Sequence, residues 1–411
     1  MSSAILVVGG GFAGLTAAIE AAELGHDVYI VEKTPFLGGR VAQLNKYFPK
    51  LCPPSCGLEI QFQRIRNNPR IKFFTLAEVT ALSGSKGNYT VQVTLQPRHT
   101  AAHAVDLGFF ASGLEGEAVN DFDFGLSTRK PLYKSAPFAF PSRYVLDPKS
   151  LTAADKAKAA SCKFINLNEE ARTIELQVGA IVVATGWKPY DVTNLSNLGA
   201  GTVKNCITNM QMERLASPYG PTAGKIVRPS DHVPPRRVCF VQCAGSRDQN
   251  HLNYCSYICC MASIKQCFYV AEALPDAHCD IFYIDLRAPG RYIKTLDKAR
   301  ASGKVSFIKG KVANVEQIEG DRVRVQAEDA VRGEKLTLDY DLVVLATGMQ
   351  PSLSQENCPL PLPLDEEGFV MGGEEAGIFA AGCAVMPLDV TRSAQTGTAA
   401  ALKAVQTVEG R

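Results

Sequence analysis

Five of the 13 cysteines in this chain of 411 residues lie between positions 243 and 267. Four of them, Cys243, Cys255, Cys259 and Cys260, have the spacing C-x11-C-x3-C-C. Four converging thiolates are the ligands of a 4Fe–4S cluster, and the positive end of a helix favours its negative charge. We predict one such cluster here, with three of the cysteines at a helix start. A zinc site is disfavoured because it normally uses C-x2–4-C pairs, and buried free thiols remain an alternative.

Lys265 follows these cysteines in the apolar stretch MASIKQCFYV. Its aliphatic stem allows the ammonium group to reach solvent along an apolar surface. Alternatively, the ammonium group approaches a flavin, where a cation stabilises the reduced, anionic ring. Lys265 is therefore the candidate catalytic residue.

A second group of residues favours dinucleotide binding. Residues 9–14 read GGGFAG, which supplies G-x-G-x-x-G between a predicted strand and helix, and Glu32 ends the next strand, where it can accept hydrogen bonds from a ribose. The following L-G-G-R segment at 37–40 and two ATG strand ends favour FAD over NAD. The candidate FAD-binding residues are Gly9, Gly11, Phe12, Ala13, Gly14, Glu32, Lys33, Gly38, Gly39, Arg40, Gln43, Val79, Ala184, Thr185, Gly186, Gly348, Gly382 and Cys383.

The remaining cysteines are less informative. Cys52 and Cys56 flank Pro-Pro-Ser, roughly where disulfide reductases carry their redox pair. The prolines predict a rigid loop and not a helical dithiol. A redox role, a contact to a cluster or partner, and a purely structural role all stay open for this pair. Cys383 is expected to pack near the flavin ring, and the other six cysteines are predicted core residues.

The chain twice repeats a βαβ unit, a β-meander and an ATG strand, which predicts an α/β fold with two Rossmann-like dinucleotide-binding domains. The second copy, VCFVQCAGSRD, keeps only Gly245 of the phosphate loop, so it is predicted to be degenerate and not to bind NAD(P)H. The predicted domains are 1–200 for the first part of the FAD domain with an insertion at about 97–160, 201–345 for the second domain, and 346–411 for the return segment. The predicted first unit comprises Ala4–Val8, Ala13–Leu24, Asp27–Val31 and Gly179–Gly186, and the second comprises Arg237–Val241, Ser256–Ala273, Asp280–Asp285 and Asp341–Gly348.

Composition excludes several functional classes. The formal charge is +2 and charged residues make up 20% of the chain, so no polyanionic partner such as nucleic acid is indicated. Uninterrupted aliphatic stretches such as Ile5–Val8 are far shorter than the roughly 18–20 residues that cross a bilayer. The N-terminal segment lacks the cationic start of a signal peptide. We therefore expect a cytoplasmic protein without a membrane span of its own.

Several long segments together resemble a known family. The segments GGRVAQLNKYFP, KPLYKSAPFAFPSRYVLDP and VQCAGSRDQNHLNYCSYICCMASIK are similar to those of the flavoprotein A subunits of heterodisulfide reductases, whose fold is of the thioredoxin/glutathione reductase type. The compact length most resembles the A subunits of the quinone-interacting membrane-bound oxidoreductase complexes of sulfate reducers. The resemblance implies FAD in the first domain, electron exchange with a 4Fe–4S cluster on the four cysteines, and Lys265 near the flavin.

The same resemblance implies partners. These would be an iron–sulfur flavoprotein B-type subunit together with a haem-bearing, quinone-reactive membrane subunit, which would hold the chain at the inner face of the cytoplasmic membrane. Adenylylsulfate reductase would be the cytoplasmic acceptor. The sequence has no C-x2-C-x2-C-x3-C ferredoxin run, so electrons would enter and leave through partners. The alternatives are a free-standing NAD(P)H-dependent disulfide reductase, a heterodisulfide reductase subunit of another pathway, and a non-enzymatic flavin-bearing scaffold.

Overall fold

The computed structural model describes residues 2–104, 106–355 and 358–410. The chain forms two compact units, Met1–Trp187 with Pro351–Arg411, and Lys188–Gln350. The boundaries expected at 200/201 and 345/346 therefore move to 187/188 and 350/351. The first shift arises because Leu195 and Leu198 pack into the core of the second unit.

The elements are labelled in chain order. Up to residue 183 they are β1 (Ile5–Val8), α1 (Phe12–Glu23), β2 (Val28–Glu32), α2 (Pro54–Asn67), β3 (Ile71–Thr75), β4 (Ala77–Ser85), β5 (Asn88–Leu95), α3 (Gly108–Ser112), β6 (Ala118–Val119), β7 (Thr128–Arg129), β8 (Leu132–Tyr133), β9 (Val145–Leu146), α4 (Ala153–Ala160), β10 (Arg172–Val178) and β11 (Ala180–Val183). There follow β12 (Trp187–Pro189), β13 (Cys206–Thr208), α5 (Asn209–Ala216), β14 (Arg237–Ala244), α6 (Cys259–Ala273), β15 (His278–Tyr283), α7 (Ile293–Ala301), β16 (Val305–Lys309), β17 (Val312–Gln317), β18 (Val323–Asp329), β19 (Glu334–Tyr340), β20 (Leu342–Thr347) and β21 (Met349–Pro351). The return segment supplies β22 (Ile378–Ala380) and α8 (Val390–Val408).

The first unit is built on a parallel sheet in the order β22-β11-β1-β2-β3. Its central strands read ILVV and AIVV, the continuous apolar runs expected of strands covered on both faces. Helix α8 packs closely on α1, because a Cβ at Gly397 would lie 2.5 Å from the carbonyl oxygen of Ala13. The return segment thus completes the unit that the N-terminal strand begins.

The second unit repeats this plan with a parallel sheet in the order β13-β20-β14-β15-β16 and an antiparallel meander of β17, β18 and β19. One face of its sheet packs against the meander, through residues such as Val241 and Leu345. Helix α6 contacts β14, β15 and β20 and covers the opposite face. The predicted architecture of two related α/β units is confirmed.

Two local predictions were wrong. Helix α6 begins at Cys259 and not near Ser256, because Tyr257 adopts a left-handed backbone with φ of +62°. Cys255 therefore lies outside the helix and shares no helical face with Cys259. Helix α2 begins at Pro54, inside the segment predicted to be a loop, since proline is well tolerated in the first turn of a helix. Cys56 is consequently helical, and it is exposed.

The insertion predicted at about 97–160 forms short strands and two helices around a small apolar core of its own. Helix α4 starts with a capping box in which Thr152 and Asp155 satisfy each other's backbone N–H groups. Among the described helices, none combines the length and apolar character that crossing a bilayer requires.

Candidate functional site

The glycine loop after β1 is shaped for a close ligand. A Cβ at Gly9 would lie 2.2 Å from the Ala184 carbonyl oxygen, and one at Gly14 would lie 1.9 Å from the Gly9 carbonyl oxygen. Both positions therefore require glycine. At Gly11, by contrast, the nearest described atom to such a Cβ is the Gly39 Cα at 4.0 Å. This open side at the start of α1 is where backbone N–H groups can receive a pyrophosphate.

The second glycine pair is held against this loop. The Gly38 N–H donates to the Gly10 carbonyl oxygen at 2.8 Å, and a Cβ at Gly39 would lie 2.9 Å from the Gly11 Cα. The next residue, Arg40, donates from Nη1 to Oε1 of Gln43 at 2.9 Å. The structure thus places the LGGR segment against the phosphate loop.

Glu32 holds the loop from the end of β2. Its carboxylate accepts hydrogen bonds from the N–H groups of Gly10, at 2.6 Å, and Thr34, at 2.8 Å. Burial raises the pKa of Glu32, against the opposing effect of these two hydrogen bonds. The carboxylate therefore fixes the loop's conformation in addition to standing where a ribose is expected.

Residues from β11 and from the return segment reach the same place. The Thr185 N lies near the position of a Gly9 Cβ, at 3.1 Å, and its buried Oγ1 has no hydrogen-bond partner among the described residues. A Cβ at Gly382 would lie 2.8 Å from the Cβ of Ala13. The buried Cys383 thiol donates to the Leu388 carbonyl oxygen at 3.6 Å, and burial raises its pKa to about 11. The open loop and the unpartnered Thr185 hydroxyl fit a bound dinucleotide.

The other predicted cofactor residues have different surroundings. Lys33 pairs with Glu78 at 3.7 Å on the surface, and the half-buried Val79 packs against the apolar core beside the first meander. Gly348 belongs to the second unit, where a Cβ would lie 2.6 Å from the Ser246 Oγ. Phe12 and Ala13 begin α1, and Gly186 lies three residues after β11 with a φ of +73°.

The four candidate cluster ligands lie around the carboxyl end of β14 and the start of α6. Cys243 has a left-handed φ of +57° and lies in the irregular part of β14 between Val241 and Ala244. The Cys259 thiol points to the Thr347 carbonyl oxygen at 3.8 Å, and the Cys260 thiol to that of Asp285 at 3.5 Å. Cys255 lies in the preceding loop. One strand end, one loop and one helix start thus supply the thiols.

The causes of the raised thiol pKa values show that these cysteines are neighbours. Burial, followed by the nearby Cys260 thiol, raises the pKa of Cys243 to about 11. Burial, followed by the thiol of Cys243, likewise raises the pKa of Cys259. In the described part of the chain, no three His, Cys, Asp or Glu side chains surround a point as a single ion would need. A four-iron cluster instead places each thiolate on a separate iron atom.

The connection from β14 to α6 differs from a phosphate loop. Residues 245–258 separate the strand from the helix, so the helix start does not follow the strand directly. The ring of Tyr190 covers the single glycine, because a Cβ at Gly245 would lie 2.4 Å from its Cδ1. The Tyr190 hydroxyl is held by Nδ1 of His251 at 2.9 Å. The backbone that a pyrophosphate would approach is occupied by an aromatic side chain.

Lys265 is buried, with 4% of its surface exposed, and its Nζ lies 3.0 Å from Oε1 of Glu213. Tyr269 and Gln266 also donate to this carboxylate, at 3.2 and 2.8 Å. The interpretation that Lys265 reaches solvent is therefore wrong, and its approach to a flavin stays a prediction. Glu213 was missed because nothing in ITNMQMERL indicates its distant partner.

The comparisons with known proteins agree with this geometry. The sequence family described as FAD dependent oxidoreductase matches residues 4–49. The chain is 37% identical to the iron-sulfur A 2 subunit of the CoB–CoM heterodisulfide reductase of Methanopyrus kandleri, over 97% of this chain and 63% of that protein. It is 34% identical to the A subunit of the ferredoxin/F420H2-dependent CoB-CoM heterodisulfide reductase of Methanosarcina acetivorans, over 98% of this chain and 53% of the relative.

Solved structures show the same fold. Thioredoxin reductase of T. acidophilum aligns with a TM-score of 0.54 and 15% identity, over 98% of this chain and 99% of that one. The bacillithiol disulfide reductase of Bacillus cereus aligns with a TM-score of 0.54 and 14% identity over the whole of both chains. The predicted thioredoxin reductase type of fold is therefore confirmed.

Two further conclusions follow from the relatives. The curated homologues are heterodisulfide reductase A subunits of methanogens, and this chain spans between about half and two thirds of their length. The predicted cofactor types, FAD and an iron–sulfur cluster, agree with the FAD dependent family match and with the name of the M. kandleri relative.

Proposed function

We propose that this chain is an oxidoreductase subunit of the heterodisulfide reductase A type, which carries FAD on the first unit and one 4Fe–4S cluster on the second. The main observation is that four neighbouring thiols replace the phosphate loop of the second unit. The first unit keeps a complete glycine loop with an open side at Gly11. One unit thus retains a nucleotide site while the other has exchanged it for metal ligands.

The chain's residues have distinct tasks in this proposal. FAD exchanges electrons singly or in pairs, and a 4Fe–4S cluster exchanges them singly. The glycine loop and Glu32 hold the nucleotide, and Thr185 offers it a buried hydroxyl. Cys243, Cys255, Cys259 and Cys260 give up their protons to bind iron, so cluster binding releases protons.

Lys265 is proposed to act on the flavin as a fixed cation. The Glu213 carboxylate holds the buried Lys265 ammonium group at 3.0 Å, and the Tyr269 hydroxyl donates to the same carboxylate at 3.2 Å. A positioned cation favours the anionic reduced ring. Glu213 is accordingly a positioning residue, because it acts through Lys265.

The physiological setting follows from the family resemblance of the sequence. We propose that the chain works in a quinone-interacting membrane-bound complex of sulfate reduction. Its partners are an iron–sulfur flavoprotein B-type subunit together with a haem-bearing membrane subunit, through which it attaches to the inner face of the cytoplasmic membrane. Adenylylsulfate reductase is the proposed acceptor.

A free-standing NAD(P)H-dependent disulfide reductase is the second candidate. The exposed Cys56 in the first turn of α2, four positions after Cys52, favours it. The Tyr190 ring over Gly245 argues against it. Reduction of the bound flavin by NADPH within milliseconds in a stopped-flow experiment would favour this second function.

A matched pair of cysteine variants tests the proposed cluster site. Cys259→Ser should lose most of the bound iron and keep FAD, since the glycine loop lies in the other unit. Cys162→Ser removes a half-buried thiol of the insertion and should keep both cofactors. Iron and flavin are measured per chain after anaerobic purification. Equal iron in the two variants would contradict the assignment of Cys259 as a ligand.

A further inference from the structure

The residue directly before Cys243 carries an unsatisfied buried amide. Gln242 is 7% exposed, and neither its Nε2 nor its Oε1 has a hydrogen-bond partner in the described part of the chain. Buried amides are normally hydrogen-bonded, because an unmade hydrogen bond leaves the cost of removing the group from water uncompensated. Both polar ends of the Gln242 amide are therefore available to a bound group.

A second buried donor without a described partner lies on α6, the helix that carries two of the other proposed ligands, Cys259 and Cys260. Ser263 is fully buried, and its Oγ likewise finds no partner among the described residues. It follows Cys259 and Cys260 by one helical turn, so all three residues lie along the same side of α6. A helical serine ordinarily bonds the carbonyl of the preceding turn. Here that bond is not made.

The two orphan groups come from facing elements. Val241 packs with the meander on one side of the sheet. Gln242 lies in the irregular part of β14 between Val241 and Ala244, directly before the proposed ligand Cys243, and α6 contacts this strand. The strand end and the helix start that supply three of the four thiols thus also supply two unpartnered hydrogen-bond donors.

We propose that the Gln242 amide and the Ser263 hydroxyl donate hydrogen bonds to sulfur atoms of the cluster and raise its reduction potential. The inference rests on the proposed cluster site. Reduction adds an electron to a group that is already negatively charged, and donors aimed at its sulfurs stabilise that added charge. The two residues set the potential at which the chain passes electrons, while the cysteines alone hold the iron.

The test compares Gln242→Leu, Ser263→Ala and the double variant with wild type by redox titration followed by electron paramagnetic resonance. Each variant should keep its iron and FAD. The cluster midpoint should fall in each single variant and fall further in the double variant. Gln61→Leu is the matched control, because it makes the same change at a buried glutamine of the first unit and should leave the midpoint unchanged. Unchanged midpoints in both single variants would overturn the inference.

A measurement on wild type covers the case in which a variant fails to fold. Glutamine side chains are labelled with ¹⁵N, and the reduced cluster is examined by pulsed resonance for a coupled amide nitrogen. The Gln266 amide nitrogen already donates to the Asn209 carbonyl and to Glu213, so a coupled amide is expected from Gln242. Absence of this coupling overturns the inference, whereas absence of iron in the wild-type chain overturns the proposed function itself.

Discussion

At the scale of single residues, the buried pair of Lys265 and Glu213 carries the clearest energetic consequence. Both side chains are almost fully buried, and the carboxylate also accepts from Tyr269. Two charges withdrawn from water are stable only while each compensates the other. The pair therefore fixes the position of the lysine independently of any cofactor.

Lys265→Met should reduce the free energy of unfolding by about 3–5 kcal/mol, because it removes the ammonium group that Glu213 binds in a buried site. The double variant Lys265→Met with Glu213→Gln should recover part of that loss, since no charge is then left behind. Denaturant titration of all three proteins measures the effect. If the double variant loses more stability than the two single variants combined, the Lys265–Glu213 pair is not the source of the loss.

Glu32→Ala should weaken FAD binding about tenfold or more. The substitution removes the acceptor for the Gly10 and Thr34 N–H groups, and losing a hydrogen bond to a buried group costs about 1–3 kcal/mol. Flavin retained per chain after gel filtration is the measurement. Glu23→Ala, which removes an exposed ion pair with Arg64, is the control and should retain full flavin. Full flavin in Glu32→Ala would contradict the role assigned to this carboxylate.

Sequence patterns identified the residues whose type is dictated by close backbone approach. Gly9 and Gly14 are examples, because a Cβ at either would collide with a carbonyl oxygen. Glu213 and Gln242 were not identified. Their significance depends on partners, present or missing, that only the folded chain brings within reach.

At the scale of elements, the connection between β14 and α6 distinguishes the second unit from the first. A nucleotide-binding unit needs a short glycine turn directly into a helix. Here residues 245–258 intervene and Tyr190 fills the turn. The missing glycines of VCFVQCAGSRD predicted that this connection would differ from a phosphate loop. The sequence did not predict where α6 begins, because the left-handed Tyr257 has no clear sequence signal.

The insertion is held together by Asp155 at the start of α4. Its carboxylate accepts from the N–H groups of Glu115 and Gly116, both at 2.8 Å, and from that of Thr152 at 3.2 Å. Burial alone would raise the pKa of Asp155, but these hydrogen bonds outweigh it and lower the pKa to about 2. The carboxylate thus ties the helix to a preceding loop.

Asp155→Asn should destabilise the insertion by about 1–2 kcal/mol, because an amide nitrogen would then face a backbone N–H. In wild type the folded pKa lies below the ordinary value of 3.8, so the stabilisation is complete above about pH 4 and is lost as the pH falls through about 2. Hydrogen exchange at Glu115 and Gly116 measures both effects. Asp276→Asn, at an exposed aspartate, is the control. Unchanged exchange in Asp155→Asn would contradict this role.

At the scale of the whole molecule, the chain contains two units with related arrangements of strands and helices that differ in the residues of their nucleotide-binding loop. The first copy keeps the nucleotide loop and is completed by β22 and α8. The second copy has the parallel sheet, the meander and helix α6, and it carries cysteines near the end of β14 and the start of α6. The repeat of βαβ, meander and ATG strand was visible in the sequence because each copy needs the same buried strands.

The most direct test of the proposed cofactor arrangement is the cofactor content of the wild-type chain, purified without oxygen and reconstituted with iron and sulfide. We predict about four iron atoms and one FAD per chain, with a paramagnetic signal of a 4Fe–4S cluster appearing on reduction. A chain that binds FAD fully but retains no iron, and shows no such signal, would contradict this arrangement.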